Sequence, residues 1–489
     1  MFFAAAQLPP PVETLSWTVL LLTALRWPLR LVLIPIILHR HRPTEALAWL
    51  VILFFEPFIG LAIYLVVGRV PANQKRIKCR RDYIATLRTP EHYDSMRPFA
   101  FEPDSVETHH QDLLSFTEEL TRMPIVKGNA LRLVSDTPAL MREIVEAIDG
   151  ATEHVHLMTF ILVNDDTSRT VLDAIARAAD RGLKCRILAD RVGSAKFHKR
   201  IPSSLRHENI EIRASIRSGL FRIPFERLDV RNHRKAAIID GHLAFVGSHN
   251  IVDPSYGQDR YGDWLDLTAV LRGPVVNQIQ QLFLEDWACE GPPIDAGAAL
   301  PTPSTPGRIP MLAVPSGPGD RRDAARQLFI TMMNEANDRI VMTSPYVVPD
   351  ESSLLALQLA ARRGVHVQIV VPERSNHWIV QLAASGYYDE LADAGAEIHL
   401  HSPGLIHAKS LTIDNHFAML GSANFDRRSF ELNFELNMFL VGAEVTQKLR
   451  KSQEAYMAQS KQLDLDTWRT RRPTRKFAEQ VAKLMGPLL

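Results

Sequence analysis

The sequence predicts an α/β protein: two repeated α/β units forming one module, preceded by an N-terminal transmembrane helical hairpin. Three observations carry this prediction. Two stretches share a helix, glycine and strand pattern, one set of polar residues recurs at the same spacing in each, and two apolar runs stand near the N-terminus.

The apolar runs come first. Residues 46–68 contain a single ionisable residue, Glu56, and are long enough to cross a bilayer core, which takes about 20 residues. Residues 16–38 form the other run, interrupted by Arg26 and Arg30. An arginine at mid-membrane costs roughly 2.5–3.5 kcal/mol on insertion scales, so this run either spans with snorkelling arginines or lies in the interface. No Lys or Arg precedes Ser16, which argues against a secretory signal. Arg69, Lys75, Arg76, Lys78, Arg80 and Arg81 follow the second run. Such a basic cluster predicts a cytoplasmic side and contact with anionic headgroups. Residues 1–69 are thus expected to be a membrane anchor and 70–127 a connector.

The repeats come next. AIARAADRGLKCRILAD (174–190) and ALQLAARRGVHVQIVVP (356–372) each read as an amphipathic helix, a glycine stop and a β-branched strand. The prolines between Gly291 and Pro310 mark a linker. A first repeat is therefore expected over 128–290, a linker over 291–310, and a second repeat with a C-terminal extension over 311–489.

The polar set is His233, Lys235, Asp240, Gly247, Ser248 and Asn250, then His407, Lys409, Asp414, Gly421, Ser422 and Asn424. Both read H-x-K-x4-D-x6-G-S-x-N without a gap. One match has a chance on the order of 10⁻⁸ per start position, so two at matching places in a repeat are no coincidence. Asp240-Gly241 and Asp414-Asn415 separate apolar runs, a hairpin signal, and His and Lys two apart share one side of a strand.

Gathered together, these residues suit a phosphodiester. Two lysines oppose phosphate oxygens, while Ser248, Asn250, Ser422 and Asn424 add hydrogen bonds to the substrate. One neutral imidazole attacks phosphorus and the other, protonated, serves the leaving oxygen. Asp240 and Asp414 are expected to hold the far ring nitrogens. No acidic cluster accompanies the set, so neither metal nor other cofactor is expected. Lys+Arg 56 against Asp+Glu 55 lacks the basic excess of a nucleic-acid binder. Cys79, Cys185 and Cys289 form neither a zinc spacing nor a disulfide framework.

This pattern resembles the paired HKD motifs of the phospholipase D superfamily. The resemblance implies one shared site where two phospholipase D-like halves meet and a phosphohistidine intermediate, with His233 as nucleophile and His407 as acid, then base. The flanks resemble cardiolipin synthases from about residue 16 to the end: Glu56 to Gly60, Trp264-Leu265-Asp266, Ser344-Pro345-Tyr346, Asn424 to Phe430, Asn433 and Glu435. Ser248 departs from the family's usual glycine, and Asn376 stands where an acidic residue is usual. The resemblance implies phosphatidyl transfer from one phosphatidylglycerol to another, giving cardiolipin and glycerol. Water, serine or phosphatidylethanolamine are the alternative acceptors, and a nucleic-acid phosphodiesterase is the more distant rival. The implied partners are phosphatidylglycerol and anionic membrane lipids, at a bacterial inner membrane, multi-pass, with the catalytic part cytoplasmic.

Other residues have weaker claims. The loop holding Phe221 and Phe225 between arginines reads as interfacial or as plain packing. His39, His41, His109 and His110 read as solvated or interfacial. Glu435 reads as a support to the site or as structural, and Arg469 to Lys476 as a solvated basic face near the membrane.

Overall fold

A computed structural model describes residues 17–41, 43–68, 74–87, 96–102, 107–216, 229–257, 262–294, 300–318, 323–375 and 377–486. The Phe221/Phe225 loop and Asn376 lie outside them. The chain divides into two compact units, one holding the N-terminal helices and one running from Ala72 onward.

The N-terminal unit has three helices, α1 (Trp17–Arg40), α2 (Pro43–Phe55) and α3 (Pro57–Val67). The run 46–68 is therefore not one helix. Pro57 has no N–H and its ring clashes with the preceding turn, so the chain breaks at Glu56. Arg30, counted above as an insertion cost, caps the break: its guanidinium donates to the Leu53 carbonyl at 3.3 Å and to that of Phe54. Leu33, Ile37, Ala46, Leu53 and Tyr64 pack together. Among the described residues no helix is long and apolar enough to cross a membrane. The expected two-span hairpin is not confirmed: three packed helices stand over its residues. His41 is held between Glu45 and Tyr64 rather than solvated.

The larger unit begins with α4 (Gln74–Leu87) and α5 (Thr108–Thr121). Its first half then contains β1 (Val126–Val134), α6 (Thr137–Asp149), β2 (His154–Thr159), α7 (Asp166–Asp180), β3 (Lys184–Asp190), α8 (Ala195–Lys199), β4 (Ile210–Ser215), β5 (Ala236–Ile239), β6 (Leu243–Gly247), β7 (Trp264–Leu265), β8 (Thr268–Arg272) and α9 (Val275–Ala288). The second half contains β9 (Ile309–Ser316), α10 (Ala324–Glu335), β10 (Arg339–Thr343), β11 (Val347–Val348), α11 (Glu351–Arg362), β12 (His366–Pro372), α12 (Trp378–Asp393), β13 (Glu397–His401), β14 (Leu405–Ile406), β15 (Ser410–Ile413), β16 (Phe417–Gly421), β17 (Phe425–Asp426), α13 (Arg427–Glu431), β18 (Glu435–Val441) and α14 (Ala443–Ala458). β19 (Ser460–Gln462), α15 (Leu465–Arg469) and α16 (Pro473–Leu484) complete it.

The duplication is explicit in the sheet. From the centre outward the first half runs β1-β8-β6-β5-β2-β3-β4 and the second β9-β18-β16-β15-β10-β12-β13. Antiparallel pairing of β1 with β9 joins the two into one sheet. The matched helix stops behave as read from sequence. α7 and α11 are N-capped by Asp165 and Asp350. Gly182 and Gly364, both at φ +93°, release the chain into β3 and β12, a left-handed conformation in which a Cβ is penalised.

The basic cluster after the anchor is partly consumed inside this unit. Arg76 pairs with Glu290 and Asp286, and Arg80 with Glu285 at 3.2 Å, both against the wholly buried α9. These two arginines therefore dock α4 and do not face headgroups. His110 is also buried, against His416 and Phe417.

Candidate active site

The two motifs occupy equivalent places. β5 and β6 form a hairpin around Asp240, and β15 and β16 one around Asp414. Each histidine precedes its hairpin and is tied by backbone to the other half: the His233 N–H donates to the Phe434 carbonyl at 2.9 Å, and the His407 N–H to that of Leu265 at 2.9 Å. β14 pairs with β7 alongside. Topology thus carries both motifs to the junction of the repeats.

The imidazole partners are reciprocal. His233 Nδ1 lies 3.0 Å from both carboxylate oxygens of Glu435, from the second repeat. His407 Nδ1 lies 2.5 Å from Asp266 Oδ1, from the first. Each carboxylate is held in turn, Asp266 by the Ser248 hydroxyl at 2.6 Å and Glu435 by the Ser422 hydroxyl at 2.5 Å. Lys235 Nζ donates to the His233 carbonyl at 2.7 Å, and Lys409 Nζ to that of His407 at 2.5 Å. Aromatic walls complete the pair: Trp264 stacks on His407 at 4.8 Å, and Phe160 meets His233 edge-on at 4.9 Å.

Asp240 and Asp414 do something else. Asp240 accepts from the backbone N–H groups of Thr152, Glu153 and His154. Asp414 accepts from those of Asn337, Asp338 and Arg339. Both sit in the left-handed region, at φ 53° and 47°, which Asp tolerates better than most residues. The expectation that they orient the imidazoles is corrected. They clamp each hairpin to the loop before β2 or β10, and Glu435 and Asp266 hold the rings instead. Asp240→Ala or Asp414→Ala should therefore cost about 1–2 kcal/mol in stability, because three backbone N–H groups lose a shared, charged acceptor that is partly exposed. Thermal melts should show the loss, while turnover per folded molecule stays near wild type.

The serines, expected to hydrogen-bond the substrate, donate instead to the carboxylates. The Asn250 side-chain oxygen accepts from the Ile161 N–H at 3.0 Å. Asn424 Oδ1 is buried with no hydrogen-bond partner among the described residues. Gly247 and Gly421 have a steric reason: a Cβ would stand 2.2 Å from the Leu267 carbonyl oxygen and 2.4 Å from that of Leu436.

Burial and mutual charge set the protonation states. Burial, aided by Lys235 and Lys409, pulls the His233 imidazole well below its ordinary value. Burial also lowers His407, against the opposing pull of Asp266. Lys235 falls to about 8 and Lys409 to about 7, chiefly through burial. Glu435 rises to about 7, again through burial. Burial would raise Asp266 too, but His407, His249 and Lys409 hold it well below the usual carboxylate range. Asp266 was visible in the sequence only as a flanking residue. Its signal is its place just ahead of β8, the strand that follows the first G-S-x-N segment, as Glu435 opens β18 after the second.

Residues 144–287 and 329–457 match the family described as cardiolipin synthase, PLD-like domain, and residues 29–69 match the phospholipase D-nuclease N-terminal family. A cardiolipin synthase of Geobacillus sp. (strain WCH70) is 32% identical over 463 residues, covering 92% of this chain and 90% of that one. Cardiolipin synthase A of Escherichia coli O157:H7 is 31% identical over 470 residues, covering 93% and 95%. The crystal structure of phosphatidylserine synthase from Haemophilus influenzae Rd KW20 superposes with a TM-score of 0.54 at 13% identity, over 77% of this chain and 100% of that one, a likeness of fold. With the family match covering both halves and these relatives spanning nearly the whole chain, the protein belongs to the cardiolipin synthase family of phospholipase D-like proteins.

Proposed function

We propose that the protein is a phosphatidyltransferase that joins two phosphatidylglycerol molecules into cardiolipin and glycerol. The reciprocal pairing of each imidazole with a carboxylate of the other repeat, between two buried lysines, carries the chemistry. Membership in the family supplies the substrate class.

In the first step His233 Nε2 attacks the phosphorus of one phosphatidylglycerol. The bond to the glycerol headgroup breaks, His407 gives its proton to the departing oxygen, and a phosphatidyl-histidine forms. In the second, the terminal hydroxyl of another phosphatidylglycerol attacks, His407 takes its proton back and the P–N bond breaks. The two acids support this order of roles. Asp266 is firmly ionised and stabilises a protonated His407 once a phosphodiester anion is bound. Glu435, poised near neutrality, favours a neutral, nucleophilic His233. Lys235 and Lys409 neutralise the phosphoryl oxygens, and Asn250 and Asn424 hydrogen-bond the transferring group.

The N-terminal unit seats the enzyme at the bacterial inner membrane. Leu31, Phe54, Phe55 and Ile59 face outward, suiting lipid rather than water. The catalytic part is placed on the cytoplasmic side, where the exposed Lys78 and Arg81 of α4 meet anionic lipid.

Purified protein given phosphatidylglycerol liposomes without added metal should yield cardiolipin and free glycerol in equal amounts by mass spectrometry. Phosphatidic acid as the sole product would make it a hydrolase. In the same assay kcat/KM should peak at about pH 7. Below it Glu435 takes a proton and releases its hold on His233, and above it Lys409, at about 7, and then Lys235, at about 8, lose their charge. A flat profile would contradict these assignments.

A further inference from the structure

The C-terminal helix α16 packs by one face and leaves the other uncovered. The inward face is fixed by charge. Glu479, fully buried, accepts from Arg471 at 2.8 Å and Arg475 at 3.1 Å. Lys483 pairs with Glu390 and lies over the Tyr387 ring of α12. Trp468 lies against the Arg471 and Arg475 guanidinium groups, 4.6 and 5.2 Å away.

The outward face carries Phe477, Val481 and Leu484, spaced i, i+4, i+7 and 72%, 44% and 80% exposed. Beside this stripe runs a second exposed row, Arg472, Lys476 and Gln480. Neither Arg472 nor Lys476 has an ion pair among the described residues. Trp378, 68% exposed, stands at the rim of a groove of about 530 Å³ that Glu373, Arg374, Trp468 and Arg475 also line. The helix ends beside the site's rim: Gly486 approaches Val348 of β11, whose partner β17 directly follows Asn424.

A solvated surface helix does not gain by exposing Phe and Leu in register. An apolar stripe flanked by unpaired cations, with an exposed Trp nearby, is the composition of a helix lying in a membrane interface. The cations complement negative headgroups, so the occupant that fits is an anionic leaflet. We propose that α16 is an interfacial helix, with Phe477, Val481 and Leu484 entering the acyl boundary and Arg472 and Lys476 on headgroup phosphates. It holds the rim of the second repeat at the bilayer surface, independently of the N-terminal helices. Its use in catalysis rests on the lipid-transfer reading, but the contact itself does not.

The wild-type full chain would be reconstituted in vesicles doped with a phosphatidylglycerol bearing a photoreactive acyl chain, irradiated and digested with trypsin. Lipid adducts are expected on the peptide Phe477–Lys483, and much more weakly in vesicles whose sole lipid is the photoreactive phosphatidylcholine counterpart. This readout needs no turnover, so it stands even if the enzyme proves not to make cardiolipin. The exposed triple variant Phe477→Asp, Val481→Asp, Leu484→Asp should lose at least tenfold in kcat/KM on vesicles while keeping activity on a short-chain, monomeric substrate. No adduct in that peptide overturns the proposal. So does a dimer that the triple variant dissolves, because the stripe would then be an interface between copies. Equal adducts in both vesicle types would overturn the role of Arg472 and Lys476.

Discussion

His233→Ala should abolish transfer, with turnover falling at least about 10⁴-fold, because a covalent step loses its nucleophile and nothing nearby can replace it. The neighbouring Lys235 is turned to its own backbone partner, the His233 carbonyl. His407→Ala should be nearly as damaging with phosphatidylglycerol, whose glycerol is a poor leaving group and needs a proton. The two variants separate when the headgroup is p-nitrophenol, which departs without one. His407→Ala should then release a burst of p-nitrophenol equal to the enzyme and stall with a phosphatidyl adduct on His233, read by intact-protein mass. His233→Ala should give no burst. A burst from His233→Ala with an adduct on His407 would reverse the two roles.

Asp266→Asn should lower kcat by roughly 10³–10⁴-fold without unfolding the protein, because an amide can present its N–H to His407 Nδ1 and lock the wrong tautomer. Glu435→Gln should act on His233 in the same sense, and more mildly, because that carboxyl is already close to taking a proton at neutral pH. Both acids reach across the repeats, so each substitution disables the histidine of the opposite motif. A double-mutant cycle measures this. Asp266→Asn combined with His407→Ala should cost hardly more than His407→Ala alone, while Glu435→Gln combined with His407→Ala should slow the p-nitrophenol burst further, because Glu435 acts on His233. If Asp240→Asn lowered kcat as much as Asp266→Asn while leaving the melting temperature unchanged, the assignment of clamp and ring partner would be wrong.

The clamp aspartates explain why part of the site was legible and part was not. The spacing H-x-K-x4-D is set by one hairpin, so the sequence displays it whole. His and Lys stand on the segment leading into the hairpin, and the aspartate lies at the turn, where its carboxylate reaches backbone N–H groups and not the ring. Ring partners come from distant chain, 202 residues away for Glu435 and 141 for Asp266. No local pattern encodes such a distance. The same holds for Arg30 and Arg76. Read locally, one is an insertion penalty and the other a headgroup contact. In the structure they cap a helix end and pair with buried acids.

What the sequence by itself determined is everything whose physics is short-range or repeated: the duplicated helix–glycine–strand units, the two hairpins, and the pairs of His and Lys. What only the tertiary structure decided is which residues meet. Antiparallel pairing of β1 with β9 sets the two halves in one sheet, and that juxtaposition lends each histidine the other half's carboxylate. Neither repeat alone holds a finished site, because each buried imidazole takes its carboxylate partner from the opposite half.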